Sequence, residues 1–432
     1  MITNHSVVGA ANSTPVFPRR RDVEHDGVSH PWSSAPMPSS PAPLSNALHA
    51  ALHSRLDGVL QAAIATQRLV GAVIHLQIQG GPVLKLSRGL ADREMQRPMQ
   101  ADTVFRLASV SKPIVAAAAM TLVDQGLLEL DAPIQQWLPG FRPALADGSC
   151  PDISLRHLLS HTSGLGYRFL EADATGPLAK AGVSDGMDGA SMTLQENLAR
   201  ISRAPLLFAP GSAWGYSLSM DVVGALLEAR LQQPLAQIVA HTVTGPLRMI
   251  DTAFHAQAPE RLATPYINDT PQPRRMREPD RAAPFEGTIG IDYSPARALN
   301  AAAWPSAGAG MVGTAGDVLS LLEGLRRSRL PGLSAATVAR MGQVQTPDGT
   351  GPAPGFGFGL GFSVLGDPQL AQSPESIGTW RWGGAFGHNW FVDPLRGISF
   401  VCLSNTLYEG MSGAVVNALR DAVYSVLDGA RA

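Results

Sequence analysis

A serine and a lysine three residues apart are the most reactive pair in this sequence. Ser109 and Lys112 lie in the segment Ser-Val-Ser-Lys, at the start of an apolar stretch that predicts a helix. Residues three apart share one face of a helix, so the hydroxyl and the amine are expected within hydrogen-bond reach. The chain has only two other lysines, Lys85 and Lys180. The pair predicts a nucleophilic serine beside its activating base, and a helix cap next to a solvated lysine is the alternative.

Two segments further along the chain bear on the same chemistry. Tyr216 stands in Trp-Gly-Tyr-Ser just before a predicted helix, and Trp382, Gly383 and Gly384 end a predicted strand. A tyrosine ionises near pH 10 in water, and an ammonium about 4 Å away stabilises a phenolate by about 4 kcal/mol at an effective dielectric of 20. The resemblance of these motifs to those of serine β-lactamases implies that Tyr216 lies beside Lys112. Tyr216 is then the candidate general base, assisted by Lys112. Neutral Lys112 as the base is the alternative, because the proton belongs to the coupled pair.

The order of these motifs resembles that of serine β-lactamases, penicillin-binding proteins and their esterase relatives. Five segments look like those of the family VIII carboxylesterases: FRLASVSKPIVAAAAM, ISLRHLLSHTSGLGY, APGSAWGYSLSMDVVGALLE, WGGAFGHNWFVDP and SNTLYEGMSG. The quoted segments lie between residues 105 and 413, and the resemblance covers roughly residues 45 to 428. The resemblance implies an α/β (α+β) fold of the class C β-lactamase type. In that fold a mainly antiparallel sheet is flanked by helices, and a mostly helical domain is inserted.

Two positions depart from the β-lactamase pattern. Leu218 stands where those enzymes have the asparagine of Tyr-x-Asn, and Trp382 stands where they have the lysine of Lys-Thr-Gly. Both losses remove polar anchors for a substrate that carries an acylamino group and a carboxylate, and leave an apolar pocket. We therefore predict hydrolysis of short-chain carboxylic esters. The alternatives are a β-lactamase or D-amino-acid peptidase, an acyltransferase on the same scaffold, and a catalytically silent binding protein.

The expected mechanism assigns roles to side chains and to the backbone. Ser109 attacks the ester carbonyl and forms an acyl-enzyme, which water hydrolyses. The oxyanion hole is expected from the backbone N–H groups of Ser109 and Ala385. The predicted substrate-binding residues are Trp382, Gly383, Gly384 and His388.

Composition narrows the possible partners. The formal net charge of −2 gives no electrostatic reason to expect nucleic acid or an anionic membrane surface. No apolar run has the length of a signal peptide or a membrane span, which predicts a cytoplasmic protein. Cys150 and Cys402 lie in no metal-binding motif, and Cys402 is expected to be a buried hydrophobic residue. We expect no cofactor, no metal and a small-molecule ester as the partner.

Hydrophobic patterns predict helices over 109–128, 219–232 and about 315–327. They predict strands over 356–365 and 398–404, and the segment 268–281 is expected to be a loop.

The chain is expected to divide into a terminal arm and two domains. Residues 1–44, rich in serine and proline, predict a disordered arm. Residues 45–108 and 305–432 are expected to build the sheet domain, and 109–304 a helical domain, with the active site at their interface.

Three other patterns could suggest chemistry but lack the required context. Ser184 lies in Gly-Val-Ser-Asp-Gly, which matches a nucleophile elbow without the strand and helix that such an elbow needs. The pairs His49/His53 and His157/His161 have the spacing of two metal ligands on a helix, yet no third ligand is evident. We expect His157 and His161 to cap and orient a turn beside the site.

Overall fold

The computed structural model describes residues 45–430, so the prediction of a disordered arm lies outside the described residues. Its α-helices are α1 Asn46–Ala65, α2 Ser111–Asp124, α3 Leu155–Leu159, α4 Pro177–Lys180, α5 Leu194–Ile201, α6 Ser219–Leu231, α7 Leu235–Val239, α8 Ala315–Arg326, α9 Ala335–Met341, α10 Glu409–Ser412 and α11 Ala414–Gly429. Its strands are β1 Gly71–Ile78, β2 Leu84–Asp92, β3 Arg97–Pro98, β4 Phe105–Arg106, β5 Tyr266–Ile267, β6 Arg274–Arg275, β7 Asp280–Ala282, β8 Ile291–Tyr293, β9 Val312–Gly313, β10 Phe356–Phe358, β11 Ser363–Leu365, β12 Trp380–Gly384, β13 His388–Asp393 and β14 Ile398–Ser404. Short 3₁₀-helices cover Ala108–Val110, Ile134–Gln136, Arg168–Leu170, Pro259–Arg261 and Pro295–Leu299, and Ala240–Thr244 forms a π-helical turn.

An eight-stranded antiparallel sheet joins the two ends of the described chain. Its strand order is β10-β11-β12-β13-β14-β1-β2-β3, and every neighbouring pair is antiparallel. Strands β1 to β3 precede the central helices in sequence and β10 to β14 follow them. The predicted fold class, a mainly antiparallel sheet flanked by helices with an inserted helical segment, is confirmed. The proposed domain boundaries stay a prediction.

Both faces of the sheet are covered because its central strands are apolar on both sides. Ala72, Ile74 and Leu76 of β1 belong to the buried cluster formed with α1 and α11. Val73 points to the opposite face and joins the larger cluster that contains α2 and α8. Cys402 is fully buried in the first cluster, as expected, and burial raises the pKa of its thiol to about 12.

Helix α2 is almost entirely enclosed. Its alanine run 116–119 has no exposed surface, and the small side chains allow α6 and α7 to pack closely against it. The 3₁₀-helix that precedes α2 packs against β12. Residues near the start of α2 therefore lie between the inserted helices and the sheet.

The main helices and strands agree with the sequence prediction, and three segments differ. The helix predicted from Ser109 begins at Ser111, because residues 108–110 form a 3₁₀-helix. The strand predicted over 356–365 is broken, since Gly361 has a φ of +106° and a Cβ there would lie 2.4 Å from the Ala116 side chain. The segment 268–281, expected as a loop, contains β6 and most of β7, which pair with β5 and β8.

Candidate active site

The backbone around Ser109 is held from both sides. Leu107 donates its N–H to the Met311 carbonyl over 2.8 Å, and Met311 donates its N–H to the Ser111 hydroxyl over 3.2 Å. Ala108 has a φ of +44°, a left-handed conformation that a residue with a Cβ rarely adopts. Such strain persists only where the surrounding contacts hold it. The result is a sharp turn that presents Ser109 toward a cavity.

Ser109, Lys112 and Tyr216 form one hydrogen-bonded group. The Lys112 ammonium donates to the Ser109 Oγ over 3.0 Å and to the Gly308 carbonyl over 2.8 Å. The Ser109 and Tyr216 hydroxyl oxygens are 2.7 Å apart and share a hydrogen bond. Lys112 is fully buried, and its Nζ lies 4.8 Å from the centre of the Tyr216 ring. The structure thus places all three predicted catalytic residues in direct contact.

Aromatic neighbours fix the Tyr216 ring just before α6. Its centre lies 4.9 Å from the rings of His161 and Tyr167, and 5.3 Å from that of Trp382. His161 is itself held by a 3.1 Å hydrogen bond between its Nδ1 and the Ser217 hydroxyl. These contacts leave the phenol little freedom to turn away from Ser109.

Two backbone amides complete the candidate site. Ser109 and Ala385 both line the cavity. Within residues 45–430, neither of their backbone N–H groups donates to a protein acceptor. The lack of a side chain at Gly384 lets β12 lie close to the backbone just before Ser109. A Cβ at Gly384 would lie 2.5 Å from the Leu107 carbonyl oxygen. The two amides are therefore available to bind an oxyanion.

The cavity has a volume of about 460 Å³ and is walled mainly by aromatic rings. Trp382 lines it beside Gly383, and the indole packs edge-on against Tyr216 and Phe358. The Trp382 Nε1 is buried without a protein partner in the described chain. The further aromatic lining residues are Tyr167, Phe169, Trp214, Phe285, Phe356 and Tyr408.

This chain is similar to known proteins over most of its length. The family model described as Beta-lactamase matches residues 56–425. The chain belongs to the β-lactamase family. Esterase EstB from Burkholderia gladioli is 48% identical over 380 residues, which are 87% of this chain and 96% of the esterase. Protein Rv1367c from Mycobacterium tuberculosis is 32% identical over 71% of this chain and 78% of its own.

Solved structures of the β-lactamase family agree with this assignment. EstCE1, described as a hydrolase with promiscuous acyltransferase activity, has a TM-score of 0.85 and 45% identity, and covers 88% of this chain and 100% of its own. Simvastatin synthase from Aspergillus terreus has a TM-score of 0.68 at 22% identity, which shows the fold alone. The prediction of an ester hydrolase of this family is confirmed.

One predicted substrate-binding residue lies outside the cavity of this β-lactamase family member. His388 is fully buried, and its Nε2 bonds the Arg106 carbonyl oxygen over 2.8 Å. The Ser404 N–H donates to its Nδ1 over 3.2 Å. Burial lowers the pKa of His388 to about 4. The prediction of a pocket-lining role is corrected, because Nε2 joins β13 to β4, just before Ser109, and Nδ1 joins it to β14. Gly384 likewise acts through packing and not as lining.

The other patterns noted in the sequence have structural roles. Ser184 is buried in a loop and donates its hydroxyl to Asp188 over 2.8 Å. His157 forms a capping box with Ser154 at the start of α3. In the described part of the chain, no group of three or more His, Cys, Asp or Glu side chains is placed to hold a metal ion. No helix among the described residues is long and apolar enough to cross a membrane.

Sequence reasoning overlooked three residues of the site. The ring of Tyr167 faces Lys112, whose ammonium lies 5.5 Å from the ring centre. Burial raises the pKa of the Tyr167 phenol well above 10. Trp214 stacks beside Tyr216, and its place in Trp-Gly-Tyr could have indicated this. Arg381 brings a cation to a lining that was expected to be apolar. The charge is partly offset, because Glu375 lies 3.3 Å from its guanidinium.

Proposed function

We propose that this protein is a family VIII carboxylesterase that cleaves neutral short-chain esters through an acyl-enzyme on Ser109. The observation that carries the proposal is the hydrogen-bonded group of Ser109, Lys112 and Tyr216 at the edge of an aromatic cavity. A serine hydroxyl needs a base within about 3.2 Å to act as a nucleophile at neutral pH. Both neighbouring groups lie within that distance.

In the first half-reaction, Ser109 attacks the ester carbonyl while its proton passes to the Tyr216 oxygen. Lys112 donates a hydrogen bond to the serine oxygen and stabilises the negative charge on the tyrosine. The carbonyl oxygen becomes an oxyanion and accepts hydrogen bonds from the amides of Ser109 and Ala385. The alkoxide leaving group takes the proton from Tyr216, and the acyl group remains on Ser109.

In the second half-reaction, water replaces the alcohol. Tyr216 accepts a proton from the water as the water attacks the acyl carbonyl, and the same two amides stabilise the second oxyanion. The Ser109 oxygen leaves with the proton from Tyr216 and the carboxylic acid is released. The site lies between the proposed sheet and helical domains, since Tyr216 precedes α6 and Ala385 follows β12.

The lining of the cavity supports a neutral substrate. Trp382 offers an apolar surface and has no charge to hold a carboxylate. A carboxylate that enters a partly desolvated site without a free cation loses several kcal/mol of solvation. Arg381 also lines the cavity, but its charge is paired with Glu375 at 3.3 Å. Because side chains alternate along a strand, Arg381 extends from the opposite face of β12 to Trp382.

The nucleophile can be tested by covalent labelling. A fluorophosphonate probe should modify Ser109, and Ser109→Ala should lose labelling together with at least three decades of activity on p-nitrophenyl butyrate. Ser184→Ala is the matched control, because Ser184 sits in the competing Gly-x-Ser-x-Gly motif but is buried. It should retain most of the activity. An active Ser109→Ala beside an inactive, folded Ser184→Ala would reverse the assignment.

Acyl transfer to an alcohol is a second candidate function. It is favoured by the apolar lining of the cavity, which holds an alcohol better than it holds water. EstCE1, at 45% identity, is described as having this promiscuous activity. Incubation of vinyl butyrate with benzyl alcohol in buffer, followed by quantification of benzyl butyrate against butyric acid, measures the partition. Butyric acid alone would leave hydrolysis as the activity of this protein.

A further inference from the structure

A buried carboxylate lies behind the catalytic lysine. Asp221, in the first turn of α6, has no exposed surface. Its Oδ1 accepts hydrogen bonds from the Ser306 hydroxyl over 2.9 Å and from the Gly308 N–H over 3.1 Å. Its Oδ2 is buried and has no hydrogen-bond partner in the part of the chain that the structure describes. A buried carboxylate oxygen without a hydrogen bond is costly unless a positive charge lies near it.

The free oxygen of Asp221 and the ammonium of Lys112 lie close to one point beside Gly308. A Cβ placed on Gly308 would lie 3.6 Å from the Asp221 Oδ2, 3.6 Å from the Lys112 Nζ and 3.3 Å from the Tyr167 hydroxyl. Since the Asp221 and Lys112 atoms both lie 3.6 Å from that point, they are at most about 7 Å apart. The carboxylate and the ammonium can therefore interact electrostatically inside the protein.

Of the groups around Lys112, Asp221 is the one that can act as its counter-ion. The two groups that accept hydrogen bonds from Lys112, the Ser109 hydroxyl and the Gly308 carbonyl, are neutral. Burial lowers the pKa of His161 well below 6.5 and raises that of Tyr167 well above 10, so both rings are neutral at pH 7.

The remaining charged groups nearby are engaged elsewhere. Asp185 forms an ion pair with Arg168 at 3.3 Å. Arg297, the other cation near Asp221, donates to the carbonyls of Asp188 and Trp304. Burial raises the pKa of Asp221, and the neighbouring hydrogen bonds and Lys112 oppose that rise.

We propose that Asp221 is a positioning residue that acts through Lys112, holding the ammonium in its charged form against Ser109 and Tyr216. The same carboxylate anchors the Gly308 backbone whose carbonyl accepts from Lys112. Leu218 stands where the resemblance places an asparagine that contacts this lysine, and Asp221 supplies a charge from one turn further along. The inference rests on the proposed function, because it concerns activation of Ser109.

The test is the pH dependence of serine activation in Asp221→Asn. This variant keeps the shape and an oxygen that can accept the two hydrogen bonds, but it removes the charge. The rate of fluorophosphonate labelling and kcat/KM for p-nitrophenyl butyrate should both be measured from pH 5 to 10. The Asp221 Oδ2 and the Lys112 Nζ both lie 3.6 Å from one point, so they are at most about 7 Å apart. A charge about 7 Å away at an effective dielectric of 20 shifts a pKa by about two pH units. The alkaline limb of both pH profiles should move to lower pH by one to two pH units, and KM should change little.

Two variants separate charge from structure. Asp317→Asn is the matched control, because Asp317 is also buried in the first turn of a helix and accepts two hydrogen bonds far from the cavity. Ser306→Ala removes one hydrogen bond to Asp221 but keeps its charge. Both should retain the wild-type pH profile. If Ser306→Ala shifts the limb as far as Asp221→Asn does, the role is structural and the proposal is overturned.

The outcomes also separate this inference from the proposed function. An unlabelled Ser109 in the wild type would defeat both. A labelled wild type with an unmoved limb in Asp221→Asn would defeat only the role of Asp221. Should Asp221→Asn fail to fold, Asp221→Ser becomes the deciding variant, because its smaller neutral side chain also removes the charge. Its alkaline limb should also move down, and an unchanged limb would refute the proposal.

Discussion

Replacing Tyr216 by phenylalanine separates the chemistry of this residue from its packing. Phenylalanine keeps the ring contacts with His161, Tyr167 and Trp382, and loses only the oxygen that lies 2.7 Å from the Ser109 Oγ. A general base contributes about two to four decades to the rate. The expected loss in kcat is therefore 10²- to 10⁴-fold, which corresponds to about 3 to 5 kcal/mol in the activation free energy.

The assay is steady-state hydrolysis of p-nitrophenyl butyrate, with kcat and KM determined separately. KM should change little, since the aromatic wall that contacts the substrate is preserved. Labelling of Ser109 by a fluorophosphonate should slow by a similar factor, because it needs the same proton transfer. Thermal unfolding must be measured for each variant, so that a loss of activity is not a loss of fold.

Tyr424→Phe is the control for removal of a buried phenol. Tyr424 lies on α11, outside the cavity lining, and donates to Asp393 over 2.8 Å. Its loss should lower the free energy of unfolding by about 1 to 3 kcal/mol and leave kcat unchanged. If Tyr216→Phe is folded and keeps the wild-type kcat, tyrosine is not the base and the role passes to Lys112.

Two predictions concern other positions. Trp382→Lys should weaken binding of apolar esters and improve turnover of nitrocefin. The measurement is kcat/KM for p-nitrophenyl butyrate and for nitrocefin in the wild type and the variant. A wild type that opens nitrocefin as efficiently as it cleaves the butyrate ester contradicts the esterase argument. Burial lowers the pKa of His388 to about 4. The contribution of the neutral imidazole to the free energy of unfolding is therefore complete above about pH 6.5 and is lost as the pH falls toward 4. Between pH 7.5 and 5 the wild type should lose about 2 kcal/mol of unfolding free energy more than His388→Gln, by urea titration. Equal losses in the two proteins would show that His388 is not held neutral. Asp185 is present in both proteins, so its effect cancels in the comparison. Burial raises the pKa of Asp185 to about 7, and its contribution to the pH dependence has the opposite sign.

Local patterns were sufficient to predict the elements that carry the site. The predicted helices 219–232 and 315–327 agree with α6 and α8 within one or two residues. The apolar run 398–404 indicated β14, because a strand that is covered on both faces is apolar throughout. The spacing of Ser109 and Lys112 predicted their contact, since three residues along a helical turn bring two side chains to one face.

What each side chain does was decided by residues distant in sequence. The sequence places His388 next to the predicted oxyanion strand, yet its hydrogen bonds to Arg106 and Ser404 turn it away from the cavity. The alternation of β12 puts Trp382 and Arg381 on opposite faces, yet both of them line the cavity in the folded chain.

The charge balance of the site was likewise set by the tertiary structure. Asp221 reads in sequence as an acidic residue in the first turn of a helix, which favours negative charge there. Its burial beside Lys112 follows from the close approach of α2, α6 and the turn at Gly308. A sequence pattern records periodicity and spacing, which local backbone geometry can enforce. Burial and the pairing of charges depend on which distant segments exclude water, and only the folded chain determines that.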